Sequence, residues 1–319
     1  MVLDSGCDLL FHTMIAGVTR VNDHWRVLLC TKLGLKEVFA KVLIDCTGDA
    51  NLVQMAGYPA THHPKLQPGT LLFQLAGYDP KNVDIPSVQR AFDEACNAGT
   101  MRRSDAGWSD GQIERLIKSR GFNAIHVCDI DASDSEGKTH AEVKGRRIML
   151  EVYQFLKQFP GMEGLTIATM QPECGIRETR IIEGETCITL DDYWNGRVWE
   201  DSVCYSFYPI DLHTDDGLDY RELQNDVVPT IPRGAMIPQH SLGLLAPGRH
   251  MCGDRMAHSA FRVQSTCMAT GQAAAAIAVL AIKQGCEPRD VPMIDVRSLL
   301  VRHGAIVPPK VAVETLAAK

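Results

Sequence analysis

The 319-residue sequence predicts an α/β fold: a parallel strand–turn–helix unit with a β-meander, interrupted by a mixed α+β region. Three observations carry this. Apolar runs at 41–46 and 242–246 end in the glycine-bearing turns Thr47-Gly48-Asp49 and Pro247-Gly248-Arg249, as buried parallel strands do. An alanine-rich helix, uncharged until Lys283, follows the second turn. Residues 14–40 alternate between turn signals and read as a meander.

Composition bounds the function. Charged residues are 22% and apolar residues 45%, which suits a globular chain of roughly two domains with a sizeable core. The net charge of −7, with both signs mixed, gives no sign of the basic face that nucleic acid requires. No apolar run is expected to reach the length of a membrane span. Residues 1–13 carry Asp4 and Asp8 without a basic leader, so no signal peptide and a cytoplasmic setting are expected. Eleven cysteines are scattered from Cys7 to Cys286 with no Cys-x-x-Cys spacing, as expected of free thiols in a reducing compartment. His62-His63 and His140 show no ligand spacing, so no metal is assigned.

In chain order, residues 8–12 read as a short strand. Strands at 14–20, 25–31 and 37–40 follow, with turns at Asn22-Asp23 and Gly34. Strand 41–46 feeds a helix at 51–56 closed by Gly57. Residues 69–77 read as a strand, 85–98 and 110–119 as helices, and 139–159 as the longest amphipathic helix, stopped by Pro160-Gly161. The apolar helix after Arg262 is expected to be buried on most sides. Its start, pointing inward, is either capped by Ser265 or Thr266 or open to a ligand oxygen. Residues 288–319 read as one helix and a loose tail.

Read as one string, Pro247-Gly248-Arg249, Ala257-His258-Ser259, Arg262-Val263 and the run Thr266 to Ala274 resemble the C-terminal flavin-contacting motif of the FAD-dependent oxidoreductases. That family shares its FAD domain with glutathione-reductase and fumarate-reductase flavoproteins and includes relatives of the flavin-bearing chain of heterodisulfide reductase. Pro247 and Ser259 depart from its usual Ala and Gly. Thr47-Gly48-Asp49, the run Gly175 to Arg180, Thr189 to Asp192 and Tyr208 to His213 resemble further family strings, so the likeness spans nearly the whole chain.

The resemblance implies an incomplete Rossmann-like FAD/NAD(P)-binding domain with a β-meander, plus an inserted mixed substrate/cap domain. The implied division is 1–60 and 239–290 for the FAD domain, 61–238 for the insertion and 291–319 for a C-terminal helix and tail. It implies FAD held by Thr47, Gly48, Asp49, Gly248, Arg249, Arg262, Val263 and Gln264, acting on a small-molecule substrate. Asp49 is a ligand contact or a plain helix cap. Arg262 supports the flavin edge, holds a substrate carboxylate or makes a surface ion pair. His258, in the loop above the ring, is a candidate proton donor. Arg177 and Arg180 anchor an anionic substrate or pair with Glu173, Glu178 or Glu183. Cys174, without a cysteine nearby, reads as a packed core thiol. A 4Fe-4S cluster follows by family analogy only, and the cysteine spacing speaks against it.

The family's opening strand, Gly-x-Gly-x-x-Gly and helix have no counterpart here. The chain is therefore expected to lack that segment, to surround only the ribityl and isoalloxazine parts and to hold FAD poorly or not at all. Alternative functions are a non-catalytic remnant that does not retain FAD and an electron-transfer subunit with an iron–sulfur cluster. Gly48 and Gly248 are expected in one domain despite their separation in sequence.

Overall fold

The computed structural model describes residues 2–108, 110–215 and 217–308. It contains two compact units. The first comprises Met1–Thr61, Ile181–Phe207 and Asn225–Lys319, the second His62–Arg180 and Tyr208–Gln224. The stretch expected as a single insertion, 61–238, is thus divided, with 181–207 and 225–238 rejoining the first unit.

In the first unit, Met14–Val21, His24–Thr31 and Gly34–Ala40 form an antiparallel meander. Asn22, at φ +55°, supplies its first turn with the left-handed residue that asparagine tolerates. Trp25 is buried, and its indole N–H donates to the Gly243 carbonyl at 3.0 Å, tying the meander to the returning chain. Leu43–Ile44 pairs in parallel with Leu244–Leu245, so Gly48 and Gly248 follow adjacent strands of one unit. Trp25, Val27, Leu52, Val53, Ile182 and Leu244 share one buried cluster beneath them.

The strand expected at 8–12 is not formed. Residues 7–13 have no regular structure, and Leu9, Leu10 and Phe11 are exposed with no neighbouring strand in the described sheets to pair them. The two parallel strands, Leu43–Ile44 and Leu244–Leu245, are also shorter than the apolar runs at 41–46 and 242–246, although the Asp45 N–H still donates to the Leu245 carbonyl at 2.7 Å.

The helix Gln264–Gln284 buries Thr270, Ala273, Ala274, Ile277 and Ala281 in the first unit. It is not buried on most sides: Met268, Val279 and Ile282 lie exposed at helical spacing. Alanines dominate the packed face, which also takes Ile277, while Met268, Val279 and Ile282 stay on the other. By length and composition alone this helix is long and apolar enough to cross a membrane, which corrects the expectation that no run is long enough; core helices pass the same test. Met293–Arg302 follows, with Arg297 donating to the Ser202 and Glu200 carbonyls. The rest of the expected tail, 309–319, lies outside the described residues.

The second unit is built on a three-stranded antiparallel sheet, with Phe73–Ala76 between Gly121–Phe122 and Thr166–Met170. The strand expected over 69–77 is interrupted, because Gly69 bridges to Val127 and Thr70 to Gly175 before the sheet begins. Ile85–Asn97, Glu114–Ser119 and Ser135–Leu156 provide Phe92, Leu116, Ile117 and Val152 to its core. Each such side chain contributes about 1.5–3 kcal/mol by burial. The longest helix starts four residues before the expected 139, because Asp134 accepts the Gly137 N–H at 2.8 Å and caps it. The helix expected at 110–119 spans only Glu114–Ser119. Ile210–Thr214 and Gly217–Arg221 form a hairpin.

Candidate functional site

In the first unit, Asp45 closes the first parallel strand and organises the turn after it. Its buried carboxylate accepts the Thr47 N–H at 2.9 Å, the Thr47 hydroxyl at 2.7 Å and the Val53 N–H at 3.0 Å. The Thr47 hydroxyl oxygen in turn accepts the Asn51 N–H at 3.1 Å. This leaves Asp49 out of the cap position. It pairs instead with Arg249, Nη2 to Oδ1 2.5 Å.

Gly48 sits at φ +79°, and a Cβ there would lie 2.9 Å from the Arg249 guanidinium carbon. Glycine is required twice over, by conformation and by the close approach of arginine. Gly248, at φ +99°, is open: a Cβ would meet only the Cys267 sulfur, at 3.9 Å. Arg249 Nε is buried and makes no hydrogen bond.

His258 is not in a loop. Asp254 caps a helix at Arg255–Phe261 by accepting the Met256 and Ala257 N–H groups, and His258 is wholly buried within it. Its Nε2 donates to the Arg249 carbonyl at 2.5 Å, so it holds the arginine backbone in place. Arg262 ends this helix, and Val263 starts the next. No side chain caps that start, neither Ser265 nor Thr266. Gln264 and Ser265 are exposed, so this helix start reaches the surface of the unit rather than lying wholly in the interior. Thr266 belongs to a buried hydroxyl chain, 2.9 Å from Ser206 Oγ, which is 3.0 Å from the Tyr193 hydroxyl. His250, buried beside Arg249, is held below the usual histidine range by desolvation.

The turns at 47–49 and 247–249 thus end adjacent strands in this unit, and 249 is tied by hydrogen bonding to 258. A helix start with free N–H groups carries roughly half a positive charge and accepts anionic or electron-rich oxygens.

The second unit places its predicted residues differently. Arg177 donates to the Pro68 carbonyl at 2.7 Å, Thr70 Oγ1 at 2.9 Å and Asn123 Oδ1 at 3.1 Å. Arg180 donates to the Ser133 carbonyl at 2.9 Å. Glu178 is engaged by the His63 ring and the Gln67 N–H, and Glu173 by Lys138. Cys174 is buried, which pushes its thiol up to about 11.

Two groupings were not visible in the sequence. Cys187 and Cys252 are joined as a disulfide with Cα atoms 4.7 Å apart in the first unit, which corrects the reading of all eleven cysteines as free. In the second unit, Asp211, His213 and His126 form a line: Asp211 Oδ2 lies 3.4 Å from His213 Nε2, and His213 Nδ1 2.9 Å from His126 Nε2. Trp108 stacks on His126 with centroids 4.3 Å apart. Burial, followed by the charges of Arg177 and His213, drives His126 down to about 2.

The family model for FAD dependent oxidoreductase matches residues 1–300. The chain belongs to the FAD-dependent oxidoreductase family. Membership implies a Rossmann-like FAD-binding fold, within which the mixed helices and small sheets of the chain fall. No curated protein and no solved structure gives a significant match.

Proposed function

We propose that this FAD-dependent oxidoreductase acts on a small molecule and that its first unit holds the flavin through the turn at 47–49 and the segment 247–266. The observation that carries this reading is the arrangement at Gly48 and Gly248. Both glycines leave adjacent parallel strands at positive φ, and the Gly248 side is open to an approaching ligand. The buried, unpartnered Arg249 Nε and the uncapped helix start beyond Val263 are donor groups suited to flavin oxygens.

In this reading FAD supplies two-electron chemistry when bound. Asp49 orients the Arg249 guanidinium, and His258 fixes the backbone behind it. The N–H groups of Gln264 and Ser265 stabilise negative charge that grows on a bound ring. Arg262, at the junction of the two helices, adds positive charge at the same end. The partner is a small-molecule substrate, without nucleic acid or membrane, in a cytoplasmic setting.

Titration of the full chain with FAD, followed by flavin fluorescence, tests the reading. Saturable quenching that Arg249→Ala weakens about tenfold or more supports it; tenfold corresponds to 1.4 kcal/mol. Unchanged fluorescence at every protein concentration sinks it.

A further inference from the structure

The second unit contains a cavity of about 190 Å³ whose lining includes Arg102, Asp105, His126, Lys144, Arg147 and Glu151. We propose that it is a binding site for a small 2-hydroxy carboxylate, its hydroxyl donating to His126 Nδ1 and its carboxylate facing Arg102, Lys144 and Arg147.

Proton bookkeeping along the buried line gives the role of His126. The Asp211 carboxylate, 3.4 Å from His213 Nε2, places the ring proton on that nitrogen. The neutral His213 ring then has a lone pair on Nδ1, which accepts from His126 Nε2–H at 2.9 Å. His126 Nδ1 is left with a lone pair. That atom is buried and makes no hydrogen bond; the Thr214 backbone favours a proton on the ring, but burial outweighs it. A buried acceptor without a donor is costly, and a ligand that supplies the donor recovers that cost. Trp108 stacked on the ring holds Nδ1 in a fixed direction.

Charge selects the rest of the ligand. Three cations line the cavity against two carboxyl groups. Asp105 is the weaker of these as an anion, because burial raises its pKa and its carboxylate already accepts the Arg102 N–H at 2.8 Å. Arg102 and Lys144 share the exposed Asp129, at 2.9 and 3.6 Å. Arg147 is exposed at the mouth. A single carboxylate answers this excess. His126 stays neutral down to about 2, so it serves as an acceptor throughout the ordinary pH range. Geometry and charge within the second unit carry the proposal; it does not rest on the flavin reading.

Calorimetric titration of the full chain with glycolate, and separately with acetate, tests it. Glycolate should saturate one site and bind about five- to tenfold tighter than acetate, the worth of one hydrogen bond. His126→Phe keeps a ring against Trp108 and should bring the two ligands to equal affinity. Arg147→Ala, at an exposed position, should weaken both without disturbing the fold. Absence of saturable glycolate binding, equal binding of both acids by the parent chain, or indifference to Arg147→Ala overturns the proposal. FAD titration of the same samples reports separately on the first unit.

Discussion

Arg249 Nη2 and Asp49 Oδ1 meet at 2.5 Å across 200 residues of sequence, directly over Gly48. The contact joins the turns that end the two parallel strands. It spends the Asp49 carboxylate on orienting a cation, while Thr47 and Asp45 manage the helix start that Asp49 would otherwise cap.

Gly48→Ala should therefore be costly in two ways. Left-handed backbone costs a residue with a Cβ about 1–2 kcal/mol. The new carbon would also stand 2.9 Å from Arg249 Cζ and displace the guanidinium. Thermal denaturation should show a lower midpoint, and FAD quenching should fall more than stability alone explains. Gly248→Ala should keep more stability, since its Cβ meets only Cys267 at 3.9 Å, yet still lose flavin affinity. Equal effects of both on flavin would refute the distinction.

The Asp49–Arg249 pair is partly buried, with side chains 20% and 28% exposed. Removing either partner should destabilise by about 1–3 kcal/mol, between the surface and buried extremes. A double-mutant cycle of Asp49→Asn and Arg249→Met, read by urea unfolding, should give a coupling of about 1 kcal/mol. Additive effects would show that the contact is energetically idle.

Thiol titration of the unreduced chain in denaturant should count nine cysteines, and eleven after reduction, since Cys187 and Cys252 are joined. Peptide mapping should recover 187 linked to 252. Their backbones are already held together, Ile188 N–H to Cys252 O at 3.1 Å and Asp254 N–H to Ile188 O at 2.9 Å. Cys252→Ser should consequently fold with the same far-ultraviolet dichroism. Eleven thiols before reduction would remove the cross-link.

Local signals were legible and distant pairings were not. Asn22-Asp23 marks the first meander turn, and two apolar runs ending in Gly48 and Gly248 mark strands that pair in parallel. The helix holding His258 was missed, because the family likeness placed His258 in a loop, although Asp254 caps that helix. His126 and His213 stand 87 residues apart and Cys187 and Cys252 are separated by 65, so no spacing rule reaches them. The exposure of Met268, Val279 and Ile282 was missed because composition records how apolar a helix is, not which face its neighbours cover.

Acid should weaken the second unit through His126. In the unfolded chain a histidine takes up its proton near 6.5, whereas folded His126 does so only at about 2. Between these values the unfolded state binds the extra proton, so stability rises with pH and falls on acidification, by at most about 1.4 kcal/mol per pH unit. Glu142 acts in the same sense at lower pH: burial works upward on it, but Lys138 and Arg146 outweigh that and bring its carboxyl to about 2. Because an unfolded glutamate titrates near 4.3, the window from pH 5 to 6.5 isolates the histidine. His250 is also depressed, but it is common to parent and variant and cancels in their difference. Hydrogen exchange of the Phe73–Ala76 amides, compared between the parent chain and His126→Phe, should show a stability difference that changes by about 1 kcal/mol per pH unit across that window. Parallel pH curves would mean that His126 carries its proton in the folded chain, and the neutral acceptor on which the hydroxy-acid site depends would be lost with it.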